Sequence, residues 1–92
     1  MANLRVIKKD IDYLVMEVIS DCWVFLYVNE CKKLEEVIAV INEAVALRNG
    51  LYDRVNNPDK ENIKKHYKEI NKDLFTGVDS LFQKISRIAG VN

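Results

Sequence analysis

Cys22-Trp23-Val24-Phe25-Leu26-Tyr27-Val28 is an unbroken apolar run in a chain whose other segments look amphipathic. A helix that is apolar all round must be covered all round, by a core or by a partner. Ninety-two residues make one domain, which can hardly surround one of its own helices. The run therefore points to association before it points to any reaction.

Three segments carry helical periodicity. In the first, Leu4, Ile7, Ile11, Leu14, Val18 and Phe25 recur at three- and four-residue spacing, and Val15, Ile19, Cys22 and Leu26 widen the stripe. In the second, Leu34, Ile38, Ile41, Val45, Tyr52 and Val55 form the stripe, flanked by Val37, Ala44 and Leu51. The third runs through Ile63, Tyr67, Ile70, Leu74, Leu81, Ile85 and Ile88, broadened by Phe75, Val78 and Phe82. No segment alternates as a strand would. One Pro and three Gly leave little material for turns, so the elements should be few and long.

The expectation is a single all-α domain over 1–92, with helices at about 4–29, 33–55 and 58–89. Short connections would fold these into an up-down-up antiparallel bundle. Asn57 is expected to cap the third helix, with Pro58 in its first turn and Asp59 at the positive end of its dipole. The break at Asn29–Lys33 holds no Gly or Pro and is inferred from a slip in apolar phase. One helix from residue 4 to Asn49-Gly50 is the competing reading. The core is expected to centre on Leu14, Val18, Ile41, Val45, Ile70 and Leu74. Gly50 and Gly77 would each sit inside a helix, marking a close backbone contact or, at Gly77, a bend.

Counting equal distances from the turns brings Arg48 near Leu14, Glu17, His66 and Tyr67. An arginine on an apolar stripe needs an acceptor, and Glu17 is the nearest candidate. Tyr13, Tyr52 and Tyr67 could complete the layer with hydroxyls. A structural polar layer is the favoured reading of this group. The alternative is a small pocket that clamps an anionic ligand with Arg48.

Other chemistry is sparse. His66, the only histidine, has no Cys or carboxylate cluster at ligand spacing, so neither a metal nor a cofactor is expected. Cys22 reads as a core residue and Cys31 as a turn residue, and neither belongs to a CxxC pair. Along one helix they would lie too far apart to bridge, unless the chain bends between them. Lys60, Lys64, Lys68 and Lys72 form a basic ridge that Glu61, Glu69 and Asp73 can neutralise at helical spacing. With 14 basic and 14 acidic residues, no global field draws the chain to nucleic acid. No segment reaches the roughly 20 apolar residues that span a bilayer, and Met1–Arg5 lacks the apolar stretch of a signal sequence. A cytoplasmic location is expected.

The segment Leu4-Arg5-Val6-Ile7-Lys8-Lys9-Asp10-Ile11-Asp12-Tyr13-Leu14 resembles the first helix of the all-helical chorismate mutases. That resemblance implies a short three-helix dimer in which Arg5 would be one clamp on a dicarboxylate. The family's second arginine would fall at Asp21-Cys22-Trp23, where this chain has none, which leaves the clamp incomplete. A non-catalytic protein–protein interaction or structural module is therefore the first expectation for function. A helical ligand-binding domain or enzyme comes second, and a nucleic-acid accessory protein third. The expected partner is a second copy, with an unidentified protein as the alternative; neither nucleic acid nor a membrane is expected. Its interface would use Val24, Tyr27 and Val28 together with Phe82, Ile85 and Ile88, the last three on an overhang of the third helix.

Overall fold

The structure is a computed structural model that describes residues 4–30, 32–58 and 60–90. Three helices account for it: α1 (Leu4–Val28), α2 (Leu34–Asn56) and α3 (Ile63–Ile88), with no strand among the described residues. Each helix packs against both others, giving a rod of 49 × 22 × 19 Å. No described helix is long and apolar enough to cross a membrane.

The boundaries follow from local chemistry. After α1, the Asn29 side chain and backbone N–H both donate to the Phe25 carbonyl, at 2.9 and 3.0 Å. Glu30 and Lys33 then take left-handed backbone angles, φ 54° and 59°. That conformation costs a non-glycine residue about 1–2 kcal/mol. Lys33 makes a compensating contact, since its Nζ donates to the Ile88 carbonyl at the end of α3, 2.7 Å away. The break inferred from apolar phase is real, and the single-helix alternative is excluded. Cys31 and Asp59 lie outside the described residues, so their expected roles are not addressed.

The second boundary differs from expectation. Asn57 closes α2 instead of opening α3: its Nδ2 donates to the Asp53 carbonyl at 2.8 Å, and its N–H to Arg54 at 3.3 Å. Helix α3 starts later, at Ile63, where Asn62 accepts from the Lys65 N–H through its side chain. Pro58 follows the α2 terminus, a position that suits a residue unable to continue a helix.

This later start removes the overhang. The end of α3 is level with the α1–α2 turn, and Phe82, Ile85 and Ile88 are half-buried against the chain's own core. The expected overhang that would carry these three residues is absent.

The core comprises Ile7, Ile11, Val15, Val18, Cys22 and Leu26 of α1 and Ile70, Leu74, Val78 and Leu81 of α3. Helix α2 adds Val37, Val40, Ala44, Leu51 and Val55. Val18, Ile70 and Leu74 are therefore core residues as expected. Leu14 and Ile41 are only half-buried, and Val45 is 41% exposed. Helix α2 is rotated from the expected face: the residues read as its flank face inward, and its expected stripe lies partly open. Small Ala44 at the centre of the inward face lets the helices approach closely.

The glycines also divide. A Cβ at Gly77 would lie 2.8 Å from Leu47 Cδ2, so the close approach occurs there, and α3 runs on as helix to Ile88. A Cβ at Gly50 would meet nothing within 4 Å. Gly50→Ala should therefore stabilise the protein by about 1 kcal/mol, through helix propensity and a less flexible unfolded chain. Thermal unfolding would measure it, and a lowered midpoint would contradict the open space around this position.

Candidate functional site

Arg48 and Tyr52 lie one turn apart on α2 and converge on Asp12 of α1. Arg48 Nε donates to Asp12 Oδ1 at 2.9 Å, and the Tyr52 hydroxyl donates to Asp12 Oδ2 at 2.6 Å. The guanidinium also sits over the Tyr52 ring, 4.2 Å from its centroid, with Lys8 Nζ 5.6 Å from the same ring. Cation and aromatic ring attract at such separations. One carboxylate thus has both oxygens engaged, and one tyrosine serves as both donor and platform.

The electrostatics follow this geometry. The hydrogen bond from Tyr52 holds the Asp12 carboxyl below its ordinary range; partial burial opposes this, and Arg48 reinforces it. Donation to Asp12, then burial, raises the Tyr52 hydroxyl. The Asp12 hydrogen bond likewise raises Arg48. A carboxyl whose folded pKa is depressed contributes stability that is present at neutral pH and lost as pH falls through the folded value. Asp12→Asn should accordingly flatten the acid limb of a stability-versus-pH curve below about pH 4. Unfolding midpoints recorded between about pH 2 and 7 would check this, and a variant with an unchanged acid limb would contradict it. Both side chains are near half-exposed, so water screens the pair and the effect is modest.

Only part of the anticipated constellation comes together. Arg48 and Tyr52 are joined, but the acid is Asp12 and not Glu17. Glu17 lies five residues further along α1, about 140° around the helix at 100° per residue. Tyr13, next to Asp12 in sequence, is 64% exposed on the outer side of α1. Tyr67 packs edge-on against His66, with centroids 5.4 Å apart. His66 has its own contact, Nε2 to the Arg54 carbonyl at 2.6 Å; a carbonyl only accepts, so this nitrogen carries the proton. The guanidinium reserved for an anionic ligand is thus engaged by an internal carboxylate. Lys64, Lys68 and Lys72 are exposed along α3, where Arg54 of α2 pairs with Asp73 at 2.7 Å.

The larger unpartnered feature is the outer side of α1. Val6, Tyr13, Met16, Trp23, Val24, Tyr27 and Val28 are all exposed, Tyr27 to 87%. Trp23, Val24, Leu26 and Tyr27 line one shallow depression; a second runs past Tyr13, Met16, Glu17 and Ser20. The side of α1 that carries Asp12 continues through Met16, Ile19 and Trp23, within about 40° of it in helical phase. The side of α2 that carries Arg48 and Tyr52 continues through Val45, Ile41 and Ile38. Val45 and Ile38 are exposed, and Leu34 beyond them is as well. On α2 this open side is the stripe that periodicity assigns to the core; on α1, Val24, Tyr27 and Val28 are expected at an interface, whereas Val6 and Met16 are not singled out.

Among the described residues no three metal-binding side chains gather. No family model, curated protein or solved structure matches the chain.

Proposed function

We propose that this chain is a non-catalytic protein–protein interaction module, an up-down-up three-helix bundle that joins a second copy through the outer face of α1. The topology is supported by the pairings between helices. Going up α1 from Lys8 to Asp12 goes down α2 from Tyr52 to Arg48. Going up α2 from Glu43 to Arg54 goes down α3 from Lys84 to Asp73. Opposite senses at both steps are those of consecutive antiparallel helices joined by short turns.

One observation carries the functional reading: exposed aromatic and aliphatic side chains recur along the outer side of α1, opposite its core face. Scattered exposed apolar residues are ordinary, whereas a contiguous patch rich in Trp, Tyr and Met marks an association surface. Chemistry that could support a reaction is thin by comparison, since the Asp12 carboxylate is already engaged by Arg48 and Tyr52.

Light scattering after size exclusion tests the reading. At micromolar concentration the protein should scatter as twice 10.7 kDa, and Tyr27→Asp should return it to 10.7 kDa with its helical content intact. A wild-type particle of 10.7 kDa throughout the micromolar range would refute self-association.

A further inference from the structure

Four residues along the outer seam of α1 are evenly placed about a fifth. Tyr13 and Tyr27 lie seven positions either side of Ser20, and Met16 and Val24 lie four positions either side. Ser20 is exposed and is the smallest side chain on the seam. In a two-fold interface residue i meets j and j meets i, so antiparallel pairing about Ser20 would set Tyr13 against Tyr27 and Met16 against Val24 of the other copy. We propose that two copies pair through antiparallel α1 helices whose two-fold axis passes at Ser20. This inference rests on the self-association proposed above and specifies its geometry.

Three further observations favour this arrangement over other ways of covering the seam. The first is charge. Lys9 occupies the seam one step beyond Tyr13, so a parallel pair would set Lys9 against its own copy. The antiparallel pair separates the two lysines by about 33 Å at 1.5 Å per residue. Glu17 and Asp21 lie on the flank away from α2, where they remain in water.

The second is the apolar flank of α1. A two-fold axis perpendicular to the helices brings the same flank of each α1 to the same side. Trp23, three residues after Ser20, then stands level with Met16 of the other copy, four residues before it.

The third is size. Tyr13, Met16, Trp23, Val24 and Tyr27 expose roughly 650 Å² per copy, within the ~600–1,000 Å² per partner of a standard interface. Patch and requirement match without the ends of the bundle taking part.

Cysteine crosslinking in the dimer tests the geometry. In a Cys31→Ser background, with Cys22 fully buried and out of reach, Ser20→Cys should be joined to its own copy by a short bismaleimide. Tyr27→Cys alone should not react with itself, because its two copies would stand about 21 Å apart along the helices. An equal mixture of Tyr13→Cys and Tyr27→Cys should give the crosslinked heterodimer, which keeps the test decisive if the change at Ser20 disturbs pairing. A crosslink at Tyr27→Cys alone overturns the antiparallel pairing and leaves self-association standing. So does a scattering dimer in which neither Ser20→Cys nor the mixture crosslinks. A protein that scatters as 10.7 kDa at every concentration overturns both.

Discussion

Leu74→Ala should lower the free energy of unfolding by about 2–5 kcal/mol, the lost transfer energy of the side chain plus the cavity left behind. Leu74 is fully buried at the centre of the α3 stripe, within the single cluster to which all three helices contribute. A domain of this length has a total stability on the order of 5–14 kcal/mol, so one substitution removes a large share. The neighbouring Phe75 provides the control. It is the bulkier residue but is 62% exposed, and Phe75→Ala should cost under about 1 kcal/mol. Urea denaturation of the two variants checks the pair of values. A loss below half a kcal/mol at Leu74, or a larger loss at Phe75, would mean that α3 presents a different face to the core.

Trp23→Ala should weaken self-association about 30-fold or more, equivalent to at least ~2 kcal/mol, while the secondary structure of each chain stays intact. Trp23 lies on the edge of the α1 seam nearer α2, three residues from Ser20, so in the paired arrangement it would be covered by α1 of the other copy. Large aromatic anchors at the centre of an interface carry most of its energy. Substitution at the rim, such as Lys9→Ala, should alter the dissociation constant far less. Sedimentation equilibrium on the three proteins measures the effect. Equal dissociation constants for wild type and Trp23→Ala would remove this residue from any interface.

How far the sequence was legible depends on how many stripes a helix carries. Helix α3 has one dominant stripe, so Ile70, Leu74, Val78 and Leu81 were placed correctly by period alone. Helix α2 carries two, and the bulkier one, Leu34, Ile38, Ile41 and Val45, dominated the sequence reading. The core took the smaller set around Val37, Val40 and Ala44 instead. Periodicity measures spacing and cannot decide between two apolar faces of one helix. That decision belongs to packing, where a slender face lets three helix axes come together. The α1–α2 break was readable because a helix cannot carry a phase slip without turning its face away from the core. The late start of α3 was not readable, because Asn57-Pro58 is equally good chemistry for ending one helix and for beginning the next.

The candidate site shows the same limit at a finer scale. That Arg48 would find an acid, with Tyr52 in the same layer, followed from its position on an apolar helix. Which acid it found depended on a register error of two residues and on rotation about α1. Asp12 points toward α2, whereas Glu17 points away. Axial distance can be estimated from turn positions, but helical phase multiplies each residue of error by 100°.

Cys22 lies at the middle of the core side of α1 with its thiol wholly enclosed, and burial, assisted by the nearby Asp21 charge, raises its pKa. The thiolate is the reactive form, so this sulfur is silenced twice, by access and by protonation. It can meet an alkylating reagent only when α1 lifts away from the other two helices. The native sequence therefore contains its own clock for that event: the rate at which Cys22 becomes modified under native conditions records how often the bundle opens, with no label engineered into the chain.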